Sequence, residues 1–567
     1  MTQRRMDTAA RPWRARPAPP PGFADSLGLS PFYAHLLYNR GVRSLDDVET
    51  YLAGDRRHLH DPMLLPDMTA AVGRLALALE RREAIAVYGD FDTDGVTGTA
   101  LLCQALRELG AAPLPYIPDR TDEGHGLNAP AVRGLRERGA TVLVTVDCGT
   151  ASGDEIALAS SLGMDTIVTD HHSPPAGLPS PVALVNPHRE DATYPYDGLT
   201  GAGLAFKLAG ALFARLGRPW PGHLLELAAL GTVADVAQLT GENRHIVKLG
   251  LERLRQTRNT GIRALAAAAK ARLDTLDTEA LSFNIVPRLN AAGRLGDASV
   301  SLRLLTTADP GEAAAIAATL DQMNARRQQL TEDSMAQARR QVEEQNQAGM
   351  PVIFVSRPDW LPGLLGLIAG RLAEQHHRPA VAMLMESNTC RASVRSIPGL
   401  DIIAALNDTG APFVRLGGHP KAAGFTIATA DLEPFQHSLA AIVRGRLDGQ
   451  AGGPFLDYDC EVALGLVDHN TVAFVQSLAP FGAGNPEPLF VSRGARVVDA
   501  RLVGADGKHL KMRVSQGGGI LDAIAFRQGP RYAFLPRQVD LLYTVGLDDW
   551  SGQPRLQLQV VDFRQPG

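Results

Sequence analysis

At 567 residues the chain exceeds one ordinary hydrophobic core, and two to four domains are expected. Its 45% hydrophobic and 21% charged residues are ordinary for a soluble globular protein, and four scattered cysteines without a CxxC pair encode neither a zinc knuckle nor a disulfide framework. A net charge of −5 argues against a surface that binds nucleic acid indiscriminately, yet leaves room for a basic groove. No apolar run reaches the roughly 18 residues needed to span a bilayer, so no membrane is expected and a reducing, cytoplasmic setting is.

Residues 1 to 22 are basic and proline-rich without an apolar core, and are expected to be a disordered tail. A lead-in from residue 23 precedes an α/β domain reaching to 310, in which short apolar strands alternate with helical patterns such as Gly95 to Leu109. Ala84 to Tyr88 is the first strand, and Asp90, Asp92 and Asp94 follow at alternate positions. In an extended segment these three side chains project the same way. Burying them together raises their pKa values unless a cation intervenes, which favours a metal site over an Asp-rich turn. Thr141 to Val146 delivers Asp147, Asp165 to Thr169 delivers Asp170-His171-His172, and Asp235 ends a short helical stretch. Strands that each end in metal-capable residues imply a parallel sheet with its ligands at the carboxyl ends.

Residues 311 to 348 have the composition of one long connecting helix, with two helices broken near Asn324 as the alternative. Strands at 351 to 355 and 379 to 384 open a smaller α/β domain over 349 to 450, and the Gly449 to Pro454 stretch reads as a linker. Alternating strand patterns at 495 to 503, 510 to 514, 520 to 526 and 539 to 545 make 455 to 567 an all-β module, by periodicity a small barrel or a sandwich. It carries a basic run of Arg493, Arg496, Arg501, Lys508, His509, Lys511 and Arg513. Such a run suits a single-strand-binding groove if the module is a barrel of that kind.

Oxygen ligands with one or two imidazoles favour Mn²⁺ or Mg²⁺. Asp92, Asp94, Asp147, His171 and Asp235 are too many for one ion that keeps a water, so two ions are expected. Asp90 is either a further ligand or holds a water beside the metals, and His172 is expected to orient a phosphate oxygen or a ligand rather than bind metal. Substrate donors are sought in the loop Asp119 to Asn128 with Arg120 and His125, in the cluster Arg288, Asn290 and Arg294, and in the second domain. There Gly417, Gly418 and His419 accompany Arg391, Ser393, Arg395 and Ser396.

The ordered motifs VYGDFDTDGVTGTALL, IPDRTDEGHGLN, VTVDCG, VTDHH, GTVADV, RLNAAGRLGDA, RASVRS, GGHPKAAGF and PFGAGNPEPLF carry a resemblance from about residue 30 to the C-terminus. The chain resembles the DHH phosphoesterases and, within them, the RecJ single-strand-specific exonucleases. The resemblance implies that Asp147 bridges the two metals and, with His172, serves catalysis, that the second domain holds DNA and its 5′ end, and that the last module is an oligonucleotide-binding (OB) fold. It implies 5′ to 3′ hydrolysis of single-stranded DNA in repair and recombination, with a single-strand-binding protein and a helicase as partners. Smaller relatives often place a histidine ligand four residues before the first ligand aspartate, where Tyr88 stands here. The alternatives are a phosphodiesterase of short oligonucleotides or cyclic dinucleotides, and a non-catalytic single-strand-binding scaffold.

Overall fold

The computed structural model describes residues 12–120, 122–345, 349–447, 455–548 and 554–566. They belong to two compact units, one of Leu59–Ala237 and Gly241–Gly452, the other of Met1–His58, Gln238–Thr240 and Gly453–Gly567.

The larger unit is built on a parallel sheet whose strands lie in the order Leu114–Tyr116, Ile85–Gly89, Val142–Val146, Asp165–Thr169, Ala183–Val185. The central strands are buried along their whole length because helices cover both faces, which is why they read as unbroken apolar runs. In chain order the sheet runs second, first, third, fourth, fifth. Its order reverses between Ile85–Gly89 and Val142–Val146, and the crevice for a ligand opens at the carboxyl ends of those two strands.

The first strand ends at Gly89, and Asp92 is the N-cap of helix Thr93–Glu108, accepting the Asp94 and Gly95 N–H groups at 2.9 and 3.1 Å. The three carboxylates therefore do not alternate along one extended strand. They meet because the chain turns tightly between strand and helix: a Cβ on Gly95 would lie 2.5 Å from the Asp90 nitrogen.

Pro310–Glu344 is one helix, unbroken at Asn324 and about 52 Å long at 1.5 Å per residue. Asp309 caps it through Gly311 and Glu312. Its first half packs on helices Thr260–Ala268, Val286–Leu295 and Ser299–Thr306, and its second half puts Met335, Ala338 and Val342 into the core of the second domain. That domain is a mixed sheet in the order Phe413–His419, Ala422–Ala428, Thr389–Arg395, Ala380–Met385, Ile353–Arg357. Helices Ile402–Asp408 and Leu432–Leu447 cover one face, and helix Leu365–His376 covers the other over Ala380–Met385 and Thr389–Arg395.

In the smaller unit a β-barrel is formed by Phe490–Val503, His509–Gln516, Gly519–Ala525, Arg555–Arg564 and Gln538–Asp548, which closes back onto the first strand. Helix His469–Ser477 contributes Val472 and Val475 to its core. Two expectations about the N-terminus are corrected here. Trp13–Ala15 is a strand pairing in parallel with Leu456–Tyr458, and Arg14 binds Asp457, so the described part of the expected tail is structured. Residues 23 to 58 belong with the barrel rather than the catalytic domain, since Leu36, Leu37 and Val42 fill the barrel core. Residues 1 to 11 and the whole of the expected linker, 449 to 454, lie outside the described residues.

Candidate active site

Six groups converge at the crevice: Asp90 after the first strand, Asp92 and Asp94 at the start of the next helix, Asp147 after the third strand, His171 after the fourth, and Asp235 capping the C-terminus of helix Leu225–Ala234. Three overlapping sets each bring their ligand atoms within 4.8 Å of one another: Asp90, Asp92 and Asp147; Asp94, His171 and Asp235; Asp147, His171 and His172. Asp147 adopts a left-handed backbone, φ 65°, and packs so closely on helix Gly201–Arg215 that a Cβ on Gly201 would fall 2.4 Å from its own. The N-terminus of that helix grips Asp94, whose two oxygens accept the Gly201 and Ala202 N–H groups at 2.7 and 3.0 Å.

Crowded acids hold protons. Burial and the charge of Asp92 push Asp94 up to about 7, against the opposing backbone donors, and burial with Asp94 and Asp92 pushes Asp235 up to about 8. Burial raises Asp147 well above the usual carboxylate range, and Asp94, Asp92, Asp90 and Asp235 all add to it. His171 is pushed down to about 3 by burial and by His172, so its ring is neutral. Its Nε2 stands 3.0 Å from Asp147 Oδ1, an oxygen that is buried and accepts no hydrogen bond. A ring nitrogen and a buried carboxylate oxygen so placed are a donor pair that a divalent cation would satisfy. The site fits the metal that the donor set implies.

Beside this cluster stands a second kind of chemistry. Burial alone would depress His172, but its hydrogen bond to Asp170, Nδ1 to Oδ1 at 2.8 Å, and that carboxylate's charge push it up to about 9. Asp170 is buried and also accepts the Thr150 and His172 N–H groups, which, with the imidazole, hold it well below the usual carboxylate range despite its burial. His125 Nδ1 stands 3.0 Å from Asp90 Oδ1, and its ring meets that of His172 edge to face at 5.0 Å. The hydroxyl of Tyr88 donates to the Gly126 carbonyl and accepts from Asn128, so it ties down the loop that carries His125 rather than facing the metals.

A group of arginines completes the crevice. Arg120 lies over the Phe91 ring at 4.7 Å. Arg294 donates to the Gly363 carbonyl, and Arg395 to Ser393 Oγ and the Val394 carbonyl. Among the described residues none of the three has a carboxylate within ion-pair distance. Burial pushes Arg294 down to about 9, helped by Arg120, Arg327 and Arg395, and burial and Arg120 depress Arg395 in turn. Burial and the Arg395 charge also lower His419. Cations that crowd one another without an acid form a site for an anion.

Profiles of three protein families match the chain: the DHH family N-terminal domain at residues 84–232, the DHHA1 domain at 349–445 and the RecJ OB domain at 458–562. The single-stranded-DNA-specific exonuclease RecJ of Bacillus subtilis is 34% identical over 95% of this chain and 68% of its own length. The protein of the same name from Escherichia coli is 35% identical over 94% of this chain and 95% of its own. The chain belongs to the RecJ family. The crystal structure of RecJ with Mn²⁺ from Thermus thermophilus superposes with a TM-score of 0.82 at 33% identity, covering 98% of this chain and 80% of that one, and the Mg²⁺ form with 0.77 at 32%. The barrel of the smaller unit is thus the RecJ OB domain, as periodicity alone did not decide.

On this RecJ framework the other expected substrate residues separate. Arg391, Ser393 and Arg395 alternate along one face of Thr389–Arg395, opposite Thr426, Gly424 and Ala422 of the next strand, and Gly417 and His419 lie on the adjoining edge strand. Arg288 is instead committed to Asp321 and the Asn284 carbonyl. Asn290 accepts the Thr93 N–H at 3.1 Å and so fastens the first turn of the Asp94 helix. Ser396 donates to the Leu400 carbonyl within its own turn. Gly418 serves the hairpin, since a Cβ there would meet the Ala422 carbonyl oxygen at 2.4 Å. The part Asp170 plays as the partner of His172, and the Gly201 and Ala202 N–H groups, were not assigned from the sequence. Asp170 stands beside two histidines and was visible there, whereas nothing local links residue 201 to Asp94.

Proposed function

We infer that the protein is a metal-dependent exonuclease specific for single-stranded DNA. The observation that carries this reading is the juxtaposition of a complete buried acid–imidazole cluster with three unpaired arginines at one crevice. Mn²⁺ or Mg²⁺ bound there supplies an activated water and charge neutralisation at the phosphodiester. Asp92, Asp94, Asp147, His171 and Asp235 would hold it, with Asp90 beside them. The overlap of the three ligand sets at Asp147 and His171 supports a site for two ions, which those two residues would help to hold. His172, charged and aimed by Asp170, donates a hydrogen bond to a phosphate oxygen, and His125 lines the same path.

The arginine group, with Ser393, Gly417 and His419 on the second domain, supports a pocket for a terminal 5′ phosphate and hence 5′ to 3′ direction. A strand threaded this way must be single and must offer an end. The basic run on the barrel supports a further hold on the strand, although Arg493 is tied to Glu461 and Asp540 and is withdrawn from that run. A single-strand-binding protein and a helicase, acting in repair and recombination in the cytoplasm, suit an enzyme that needs a free strand. The OB domain separates this reading from a phosphodiesterase of short oligonucleotides, and the complete ligand set separates it from a scaffold.

The test compares single-stranded with blunt duplex DNA in Mn²⁺, in Mg²⁺ and in chelator, with 5′-phosphate and 5′-hydroxyl ends. Hydrolysis of the single strand, lost in chelator and faster with the 5′ phosphate, is expected. Arg395→Ala should erase the end preference, a roughly ten- to hundredfold effect for one charge-assisted hydrogen bond. Equal cutting of both ends by the wild type would remove the terminal phosphate pocket from the account.

A further inference from the structure

Of the motifs in the sequence, PFGAGNPEPLF at 480 to 490 has no part in the chemistry described above. Its first half is a tightly bonded loop of the smaller unit. Gly482 and Asn485 exchange backbone hydrogen bonds at 2.9 and 3.1 Å. The Asn485 side chain is buried, donates to the Leu478 and Pro480 carbonyls at 3.0 and 2.7 Å, and accepts the Tyr51 hydroxyl at 2.8 Å. A buried polar network satisfied in this way holds one shape.

What the loop holds is a strap of three residues. The chain leaves the larger unit at Ala237, gives Gln238–Thr240 to the smaller unit and returns at Gly241. Leu239 is buried there, and its N–H donates to the Ala483 carbonyl at 2.7 Å. A Cβ on Gly482 would lie 2.8 Å from Leu239 Cδ1, and one on Gly484 would lie 3.1 Å from atoms of Gln238 and Thr240. The two glycines let the loop close down on the strap.

Asp235, one of the acids at the metal cluster, stands three residues before Gln238, and the backbone between them is strained. Asp235 caps helix Leu225–Ala234, and Val236 follows in the left-handed region at φ 57°, although it is β-branched and 72% exposed. Such a conformation gains nothing from burial and persists only where the flanking structure dictates it. On one side the helix does so, through the Val236 and Ala237 N–H groups, which donate to the Val233 and Thr232 carbonyls. On the other side stands the clamped strap. Beyond it Glu242 is fixed by Lys207, the His60 N–H and the Tyr194 hydroxyl.

We propose that the loop at 480 to 485 positions Asp235 for the metal: by gripping Leu239 it fixes the left-handed turn after Asp235, and with it the aim of the carboxylate. The proposal rests on the reading of Asp235 as a metal ligand. It adds that the smaller unit helps to build the metal centre without giving an atom to it. Leu239 is thereby a positioning residue.

The experiment is a double-mutant cycle, read by calorimetric titration of the full chain with Mn²⁺. Leu239→Ala should weaken Mn²⁺ binding roughly ten- to hundredfold, the range for groups that hold a metal ligand in place. Leu239→Met should restore most of the affinity. Gly484→Ala, which strains the loop at φ 72° and meets the strap, should weaken binding in the same direction, and it supplies the same cycle should Leu239→Ala fail to fold. In protein already carrying Asp235→Asn, neither change should cost anything further, because no carboxylate is left to aim. A penalty of equal size in both backgrounds, or unchanged affinity in Leu239→Ala and Gly484→Ala alike, would overturn the clamp and leave Asp235 as a ligand. Unchanged Mn²⁺ binding in Asp235→Asn alone would overturn both.

Discussion

The carboxylates at the crevice were legible as chemistry before they were legible as geometry. Asp147, Asp170 and Asp235 each close an element, and acids in such places have few structural uses. The spacing of Asp90, Asp92 and Asp94 suggested one extended edge, but a carboxylate that can cap a helix does so when the chain turns into one, and Asp92 is that cap. Asp147→Ala should abolish hydrolysis while single-strand binding persists, because the substitution leaves the proposed strand contacts, the arginines and the barrel, in place. Activity within tenfold of wild type, measured on a labelled strand in Mn²⁺, would contradict the metal role. The protons on the crowded acids give a second prediction. Asp235 in the folded protein sits near 8, above the range of an unfolded carboxyl, so the folded state binds more protons than the unfolded one in between. Its contribution to stability therefore falls as pH rises from about 4 to 8 in metal-free protein. Asp235→Asn should match the wild type in melting temperature near pH 4 and exceed it by a margin that grows towards pH 8. Saturating Mn²⁺ should reverse the order. A difference that does not change with pH would contradict the assignment.

At the scale of elements, helices and buried strands declared themselves where composition was uniform. Pro310–Glu344 lacks any internal glycine beyond Gly311, and a break at Asn324 has no cause, since that residue is buried and bonded to Arg327. Leu114–Tyr116 and Ala183–Val185 were not legible, because three residues are too few to establish a period. Nor could the sequence place helix Gly201–Arg215 against Asp147 and Asp94, which is a fact of packing. That helix carries a prediction of its own. Gly201→Ala should push the helix off Asp147 and pull its N–H groups from Asp94, weakening Mn²⁺ binding in calorimetry by roughly tenfold or more. Unchanged Mn²⁺ affinity would show that the helix N-terminus does not set the ligand.

For the whole molecule, the order of domains was legible from composition shifts, and the partnership of the N-terminal segment with the barrel was not. Trp13–Ala15 and Leu456–Tyr458 are more than four hundred residues apart, and only the folded chain joins them. No single helix among the described residues is long and apolar enough to cross a membrane. On the barrel, Arg501 and Lys508 are exposed and Lys511 is half-buried beside Asp548. Replacing Arg501, Lys508 and Lys511 by Gln should weaken binding to long single strands. The slope of log affinity against log salt should flatten by about 0.7 for each phosphate that the protein no longer neutralises. An unchanged slope would place the groove on another face of the barrel.

All these parts serve one claim, that a single strand enters by its 5′ end and is hydrolysed at the crevice, where a bound metal would activate the water. The direct measurement is a time course in Mn²⁺ on one oligonucleotide labelled in turn at its 5′ and 3′ ends. The account predicts that the 5′ label leaves at once as a mononucleotide, while the 3′ label passes through a descending ladder of shortened strands. Immediate release of the 3′ label, or internal fragments before either end is lost, would contradict it.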